Sequence, residues 1–168
     1  PWYQHEELGY NYRMSNVIAG VVRGQIPYLE EHIAQKKAIY MRYKEAFKDL
    51  PVKMNPYNEK NSEPNFWLSC MIIDEDAMCK QVRSERDYCY VSESGKTCPQ
   101  EILDELAKIN AEGRPIWKPM HMQPIYRMNG FVTKDGNVRA RTNAYIAGEA
   151  NDVGMDIFNR GLCLPSDN

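Results

Sequence analysis

The segment GYNYRMSN at residues 9–16, followed by VIAGVV at residues 17–22, decides how the start of this chain folds. Ser15 is suited to cap a helix, because its hydroxyl can accept a hydrogen bond from an amide of the first helical turn. The sequence therefore predicts a helix over residues 16–25. Its apolar residues are expected to form one buried face. They are Val17, Ile18, Val21 and Val22.

Two polar residues, Asn11 and Arg13, stand just before this helix. Carboxamide and guanidinium groups near a helix start could donate hydrogen bonds to a bound anion. The alternative is an ordinary capped helix entrance with an exposed arginine, and spacing alone favours it because such entrances are common.

Apolar periodicity predicts a second, longer helix that begins at Pro27 and runs to about residue 48, since proline suits a first helical turn. Its apolar residues recur at helical spacing and form one stripe. They are Leu29, Ile33, Tyr40, Tyr43, Phe47 and Leu50. A loop is expected at residues 55–64, which contain two prolines and three asparagines, and a buried strand at residues 66–73.

The remainder of the chain predicts a small α/β or α+β domain fronted by a long helical arm. Residues 74–96 are polar and irregular, with room for a short helix. A capping box is expected at residues 97–100, followed by a helix to about residue 110 and an extended segment from residue 114. A hairpin turn is expected at residues 134–137. The last expected elements are a helix from an Asp152 cap to Arg160, with Gly161 at its end, and a strand at residues 162–164. The predicted division is a motif segment with connecting helices at residues 1–50 and a small domain at residues 51–168.

A second polar cluster, RPIWKPMHMQP, occupies residues 114–124. Its three prolines impose a rigid, irregular path, on which Trp117, Lys118 and His121 could line a pocket. A structural loop with a packed tryptophan and a solvated lysine is an equally good interpretation of the same residues.

Composition excludes several classes of protein. A net charge of −2, from 21 basic and 23 acidic side chains, gives no basic surface for nucleic acid or a membrane. The apolar runs are too short to span a bilayer, and no signal peptide is recognisable, so the cytoplasm is the expected location. The five cysteines are widely spaced, which favours reduced thiols over a disulfide framework or a zinc site. We expect no metal.

Three segments resemble signatures of the DegT/DnrJ/EryC1/StrS family of pyridoxal phosphate (PLP) dependent sugar aminotransferases: residues 9–16, residues 114–124, and DIFNRGLCLPS at residues 156–166. The resemblance implies the C-terminal part of the type I aspartate-aminotransferase fold and a homodimer with active sites at the subunit interface. It implies that Asn11 binds the PLP phosphate of the partner subunit, with Arg13 close by. It places Trp117, Lys118 and His121 nearer the nucleotide-sugar substrate.

The resemblance also implies that the catalytic lysine is missing. Family members carry the lysine that forms a Schiff base with PLP upstream of the first signature, in a large N-terminal domain, and no lysine of this chain matches it. The expected parent enzyme transfers an amino group, from a donor such as glutamate, to a nucleotide-linked keto-sugar, and the chain alone is expected to be inactive. The alternative is a non-catalytic module that dimerises or regulates, with the apolar stripe of the long helix as its interface.

Overall fold

Four α-helices and six β-strands make up the described parts of the chain, in a computed structural model that describes residues 3–83, 88–126, 129 and 152–166. The helices are α1 (Asn16–Gln25), α2 (Leu29–Ala46), α3 (Pro99–Lys108) and α4 (Val153–Arg160). The strands are β1 (Val52–Met54), β2 (Cys70–Ile73), β3 (Lys80–Arg83), β4 (Tyr88–Val91), β5 (Arg114–Pro115) and β6 (Gly161–Cys163). Short 3-10 turns lie at Ile26–Tyr28, Glu75–Ala77, Met120–Met122 and Pro124–Tyr126.

The central element is a four-stranded antiparallel sheet in the order β1-β2-β6-β5. Strand β6 comes from the end of the described chain and lies between β2 and β5, so it is hydrogen-bonded on both edges. In the register, Cys163 of β6 lies opposite Cys70 of β2 and Arg114 of β5. Strands β3 and β4 form a separate antiparallel pair.

One face of this sheet carries the core. Met71, Leu162 and Leu164 are buried together, and Leu162 is 0% exposed. The half-buried residues around them come from α2, β1 and α3: Tyr43, Phe47, Val52, Met54, Ile102 and Leu103. Burial of one such aliphatic side chain contributes about 1.5 to 3 kcal/mol, so this layer of helices on a sheet is the stable centre of the described fold.

Helix α1 has the predicted bounds but not the predicted burial. The Ser15 hydroxyl accepts a hydrogen bond from the Ile18 amide at 3.3 Å, as expected of an N-cap. No residue of α1 is buried, and Val17 is 77% exposed. The expectation of a buried face is therefore wrong within this chain, because burial needs an apolar surface to pack against as well as an apolar stripe.

The second helix is confirmed with a later start. Pro27 lies in the 3-10 turn, and α2 begins at Leu29. The C-terminal half of the apolar stripe packs against the rest of the chain: Tyr40 is 2% exposed, and Tyr43 and Phe47 contact the core. Its two ends, Leu29 and Leu50, are each more than half exposed, so the prediction of one continuous buried stripe is wrong there.

Three expectations for residues 66–100 are corrected. The strand starts at Cys70 instead of residue 66, because Phe66 has a left-handed backbone (φ 52°) that a strand cannot contain. The segment described as irregular contains the β3–β4 pair. The capping box is wrong as well: α3 is preceded by Cys98 without a side-chain cap, since Thr97 is engaged in a bridge with Met78.

The predicted helix from Asp152 to Arg160 is confirmed, and it runs directly into β6. The Asp152 carboxylate accepts a hydrogen bond from the Met155 amide at 2.9 Å. Gly161 follows with extended backbone, and a Cβ there would lie 2.5 Å from the Ile157 carbonyl oxygen and 2.7 Å from Ile116 Cγ1. Only glycine fits this junction. The hairpin turn predicted at residues 134–137 lies outside the described residues.

Candidate cofactor and substrate site

The first residues of the chain are fixed onto the second polar cluster by one buried side chain, Gln123. Its Oε1 accepts a hydrogen bond from the His5 amide at 2.8 Å. Its Nε2 donates to the carbonyl oxygens of Tyr3 at 2.9 Å and Lys118 at 3.0 Å. Gln123 is 2% exposed. The three bonds join two segments that are more than a hundred residues apart in sequence, and an additional bond from the Ile125 amide to the His5 carbonyl continues the contact.

Trp117 and Lys118 contact the same opening segment. The Trp117 ring stacks on Tyr3, with ring centres 5.7 Å apart, and lies 6.2 Å from the Trp67 ring. Lys118 is buried, and its ammonium group donates a hydrogen bond to Gln4 Oε1 at 2.8 Å. Trp117 remains 42% exposed, so an aromatic surface is left open to solvent beside an enclosed cation.

His121 is tied to the start of α4. Its Nε2 lies 2.6 Å from Asp152 Oδ2, and both side chains are largely buried. The other oxygen of the same carboxylate caps α4 through the Met155 amide. One carboxylate therefore orients the imidazole and holds the helix that leads into β6.

Asn11 and Arg13 lie on the exposed stretch before α1. Asn11 has no hydrogen-bond partner in the described part of the chain, and the Arg13 guanidinium donates to the Met14 carbonyl oxygen at 3.3 Å. Tyr12, between them, is 88% exposed and has a left-handed backbone (φ 51°), which is uncommon for a bulky residue. Both side chains keep their donors available, which suits a phosphate group.

The structure thus joins the opening segment to Trp117 and Lys118, whereas His121 contacts Asp152. Among the described residues, no hydrogen bond connects Asn11 or Arg13 to Trp117, Lys118 or His121. The sequence did not single out Gln123, nor Asp152 as the partner of His121. No local signal could have found them, because each acts across a large sequence separation. Two surface grooves, one along α3 and one between α2 and β1, are lined by other residues.

Within the described residues, no group of histidines, cysteines and carboxylates is arranged to hold a metal ion. In the same residues, no helix is both long enough and apolar enough to cross a membrane.

The sequence profile of the DegT/DnrJ/EryC1/StrS aminotransferase family matches residues 1–145, which include the first two signatures. The chain belongs to this family. The assignment agrees with the family resemblance of the three signatures.

Similar proteins point in the same direction. EpsN of Bacillus subtilis (strain 168), which is assigned as a pyridoxal phosphate-dependent aminotransferase, is 32% identical over 165 residues, covering 98% of this chain and 34% of EpsN. The GDP-perosamine synthase of Escherichia coli O157:H7 is 26% identical over 124 residues, 74% of this chain and 28% of that enzyme. The corresponding enzyme of Caulobacter vibrioides is 22% identical over 120 residues, 71% of this chain and 28% of the enzyme. This family member therefore spans about a third of the length of these relatives.

A solved structure confirms the fold. The crystal structure of the aminotransferase TlmJ from Streptoalloteichus hindustanus superposes with a TM-score of 0.54 at 12% identity, covering 89% of this chain and 30% of TlmJ. The expected α/β class, as part of an aminotransferase-like fold, is borne out.

Proposed function

We propose that this chain is the C-terminal part of an enzyme that transfers an amino group to a nucleotide-linked keto-sugar with PLP as cofactor. Family membership supports the reaction class, and the GDP-perosamine synthases among the relatives support a nucleotide-linked sugar as substrate. We place the enzyme in the cytoplasm as a homodimer. Residues 1–50 would be a connecting segment, and residues 51–168 a small C-terminal domain.

The observation that carries the proposal is the pair of exposed donors, Asn11 and Arg13, directly before the Ser15-capped helix. PLP, when bound, supplies the electron sink for amino-group transfer. Asn11 would donate its amide hydrogens to the cofactor phosphate of the partner subunit, and Arg13 would balance the charge of that phosphate. Because the chain places few constraints on either side chain, a second subunit has access to them.

Trp117, Lys118 and His121 would serve the substrate. The exposed part of the Trp117 ring offers a stacking surface for a base or a sugar. The buried Lys118 and the His121–Asp152 pair hold the backbone and imidazole of this loop in one orientation. Their fixed positions favour a site that is formed before the substrate arrives, which lowers the entropic cost of binding.

We propose further that the chain alone is inactive. None of its lysines matches the cofactor-bearing lysine of the family, and Lys118, the one buried lysine among the described residues, is engaged with Gln4. The alternative of a dimerising module is weakened, since the C-terminal half of the α2 stripe packs on the chain's own sheet. The apolar residues exposed on α1 are better candidates for a contact with the rest of the enzyme.

The test is made in the intact enzyme. Asn11→Ala should weaken PLP binding by about ten- to 150-fold, since a hydrogen bond to a charged group contributes about 1.5 to 3 kcal/mol. Binding is measured by titrating the apoenzyme with PLP and following cofactor absorbance. Asn61→Ala, at an exposed asparagine in the loop after β1, is the matched control and should leave the affinity unchanged. Unchanged PLP affinity and turnover in Asn11→Ala would exclude the assignment of this residue.

A further inference from the structure

Two cysteines face each other across the central sheet. Cys70 of β2 lies opposite Cys163 of β6, and their sulfur atoms are 3.4 Å apart. Both are thiols in this structure. The contact involves neither Asn11 nor the Trp117 loop, and it is independent of the proposed aminotransferase chemistry.

The strand pairing brings these two side chains as close as an antiparallel sheet allows. The amide and carbonyl of Cys70 both point to β1, where they bond with Asn55 Oδ1 and the Asn55 amide at 2.9 Å each. On the β6 side the ladder bond is made by the adjacent pair, from the Leu164 amide to the Ser69 carbonyl oxygen at 2.8 Å. Cys70 and Cys163 are therefore a non-hydrogen-bonded pair, whose Cα atoms are typically about 4.5 Å apart. Disulfides span about 4.4 to 6.8 Å between Cα atoms.

The two thiols differ in access. Cys70 is half-buried, whereas Cys163 is 2% exposed. The hydrogen bond between them lowers the pKa of the Cys70 thiol, and it raises the pKa of the Cys163 thiol together with burial. Cys70 is thus the thiol that is more accessible to a small reagent and more readily ionised, whereas Cys163 is shielded from solvent.

We propose that Cys70 and Cys163 form a reversible oxidation site that reacts with low-molecular-weight disulfides of the glutathione type. The Cys70 thiolate attacks one sulfur of the oxidised reagent, forms a mixed disulfide and releases one reagent thiol. Cys163 then loses its proton and attacks the Cys70 sulfur, forming the Cys70–Cys163 bond and releasing the second reagent thiol. Two protein thiols are oxidised, and one disulfide is reduced to two thiols.

The bond would fasten β6 to β2. Because α4 continues directly into β6, the bond would also fix the end of that helix on the sheet. The Cα separation expected of such a strand pair lies at the short end of the disulfide range, and strained disulfides are more easily reduced. The site is accordingly suited to reversible modification in a reducing compartment.

The other described cysteines provide internal controls. Cys89 is exposed and should form a mixed disulfide without an intramolecular bond. Cys79 and Cys98 are both buried, and burial raises the pKa of Cys79 to about 11. Both should react slowly, because neither thiol is accessible to the reagent, and the Cys79 thiol is also largely protonated at neutral pH.

The experiment treats the reduced, folded protein with oxidised glutathione, blocks remaining thiols by alkylation, and maps the products by mass spectrometry. Trypsin combined with Asp-N separates Cys70 from Cys79, since Asp74 and Asp76 lie between them. The expected product is a linked pair of peptides containing Cys70 and Cys163, lost again on addition of reduced glutathione. Complete modification of Cys89 without the linked peptides would overturn the proposal.

Two variants separate the roles of the thiols. Cys163→Ser should stop the reaction at the Cys70 mixed disulfide, because the resolving thiol is gone. Cys70→Ser should leave Cys163 unmodified, because the buried thiol has no access to the reagent. Circular dichroism verifies that each variant is folded. The linked peptides of the wild type test the proposal even if a variant does not fold. A glutathione mixed disulfide on Cys163 in the Cys70→Ser variant would contradict the assigned order.

Discussion

Two regions of the chain differ in how their apolar side chains are packed. We call residues 3–28 the arm, and the β1-β2-β6-β5 sheet together with α2, α3 and α4 the sheet unit. In the sheet unit, apolar side chains from helices and strands bury one another, as Met71, Leu162 and Leu164 show. In the arm, α1 is capped and regular, yet all of its residues are exposed. Local signals are sufficient to form a helix, whereas an apolar stripe requires a second surface. The arm therefore leaves the apolar stripe of α1 uncovered within the described residues.

The largest expected effect tests this contrast directly. Leu162→Ala should lower the free energy of unfolding by about 3 kcal/mol, because it removes a fully buried side chain and leaves a cavity. Val21→Ala in the arm should change it by less than about 0.5 kcal/mol, as expected of an exposed position. Urea unfolding followed by circular dichroism measures both. Similar losses in the two variants would show that the arm packs as tightly as the sheet unit.

The second prediction concerns the point where the arm is attached. Gln123→Leu removes the three hydrogen bonds that this side chain makes with the backbone of His5, Tyr3 and Lys118. We expect a loss of about 2 kcal/mol in unfolding free energy and faster hydrogen exchange at the His5 amide. Gln25→Leu, at an exposed glutamine that ends α1, is the control and should be nearly neutral. Unchanged exchange at His5 would mean that the arm is held by other contacts.

The smallest effect belongs to an ion pair within the sheet unit. Arg160 makes two bonds to the Asp156 carboxylate, at 2.7 and 2.6 Å, and this lowers the pKa of Asp156. A lowered pKa contributes stability that is present above the unfolded pKa of about 3.9 and lost as pH falls through the folded value. Because the Asp156 side chain is 43% exposed, solvent screening limits the contribution to less than about 1 kcal/mol.

Asp156→Asn therefore should cost a fraction of a kcal/mol at pH 7, and this cost should shrink as the pH falls below the unfolded pKa of about 3.9. Urea unfolding at several pH values measures the difference. Asp76→Asn, at an exposed carboxylate with no described ion pair, is the control. A cost for Asp156→Asn that grows as pH falls would contradict the sign of the pKa shift.

A structural feature could be predicted from the sequence when the interaction that forms it joins residues close together in the chain. The bounds of α1 and α4 were predictable, because Ser15 and Asp152 cap them within three residues. The β3–β4 pair was missed because both strands are only four residues long and β3 is mostly polar, so that their stability comes from pairing. Of the candidate site, the motif residues could be named from the family resemblance. The attachment by Gln123 could not, since it depends on a contact across 118 residues.

The shared carboxylate of Asp152 has a thermodynamic consequence. Because one oxygen holds the first turn of α4 and the other holds His121, unwinding of that turn and displacement of the imidazole are linked equilibria. A molecule that binds the imidazole in its present orientation would, by the same linkage, raise the free energy needed to fray the helix. The loop that carries His121 and the strand that follows α4 are in this way coupled through a single side chain.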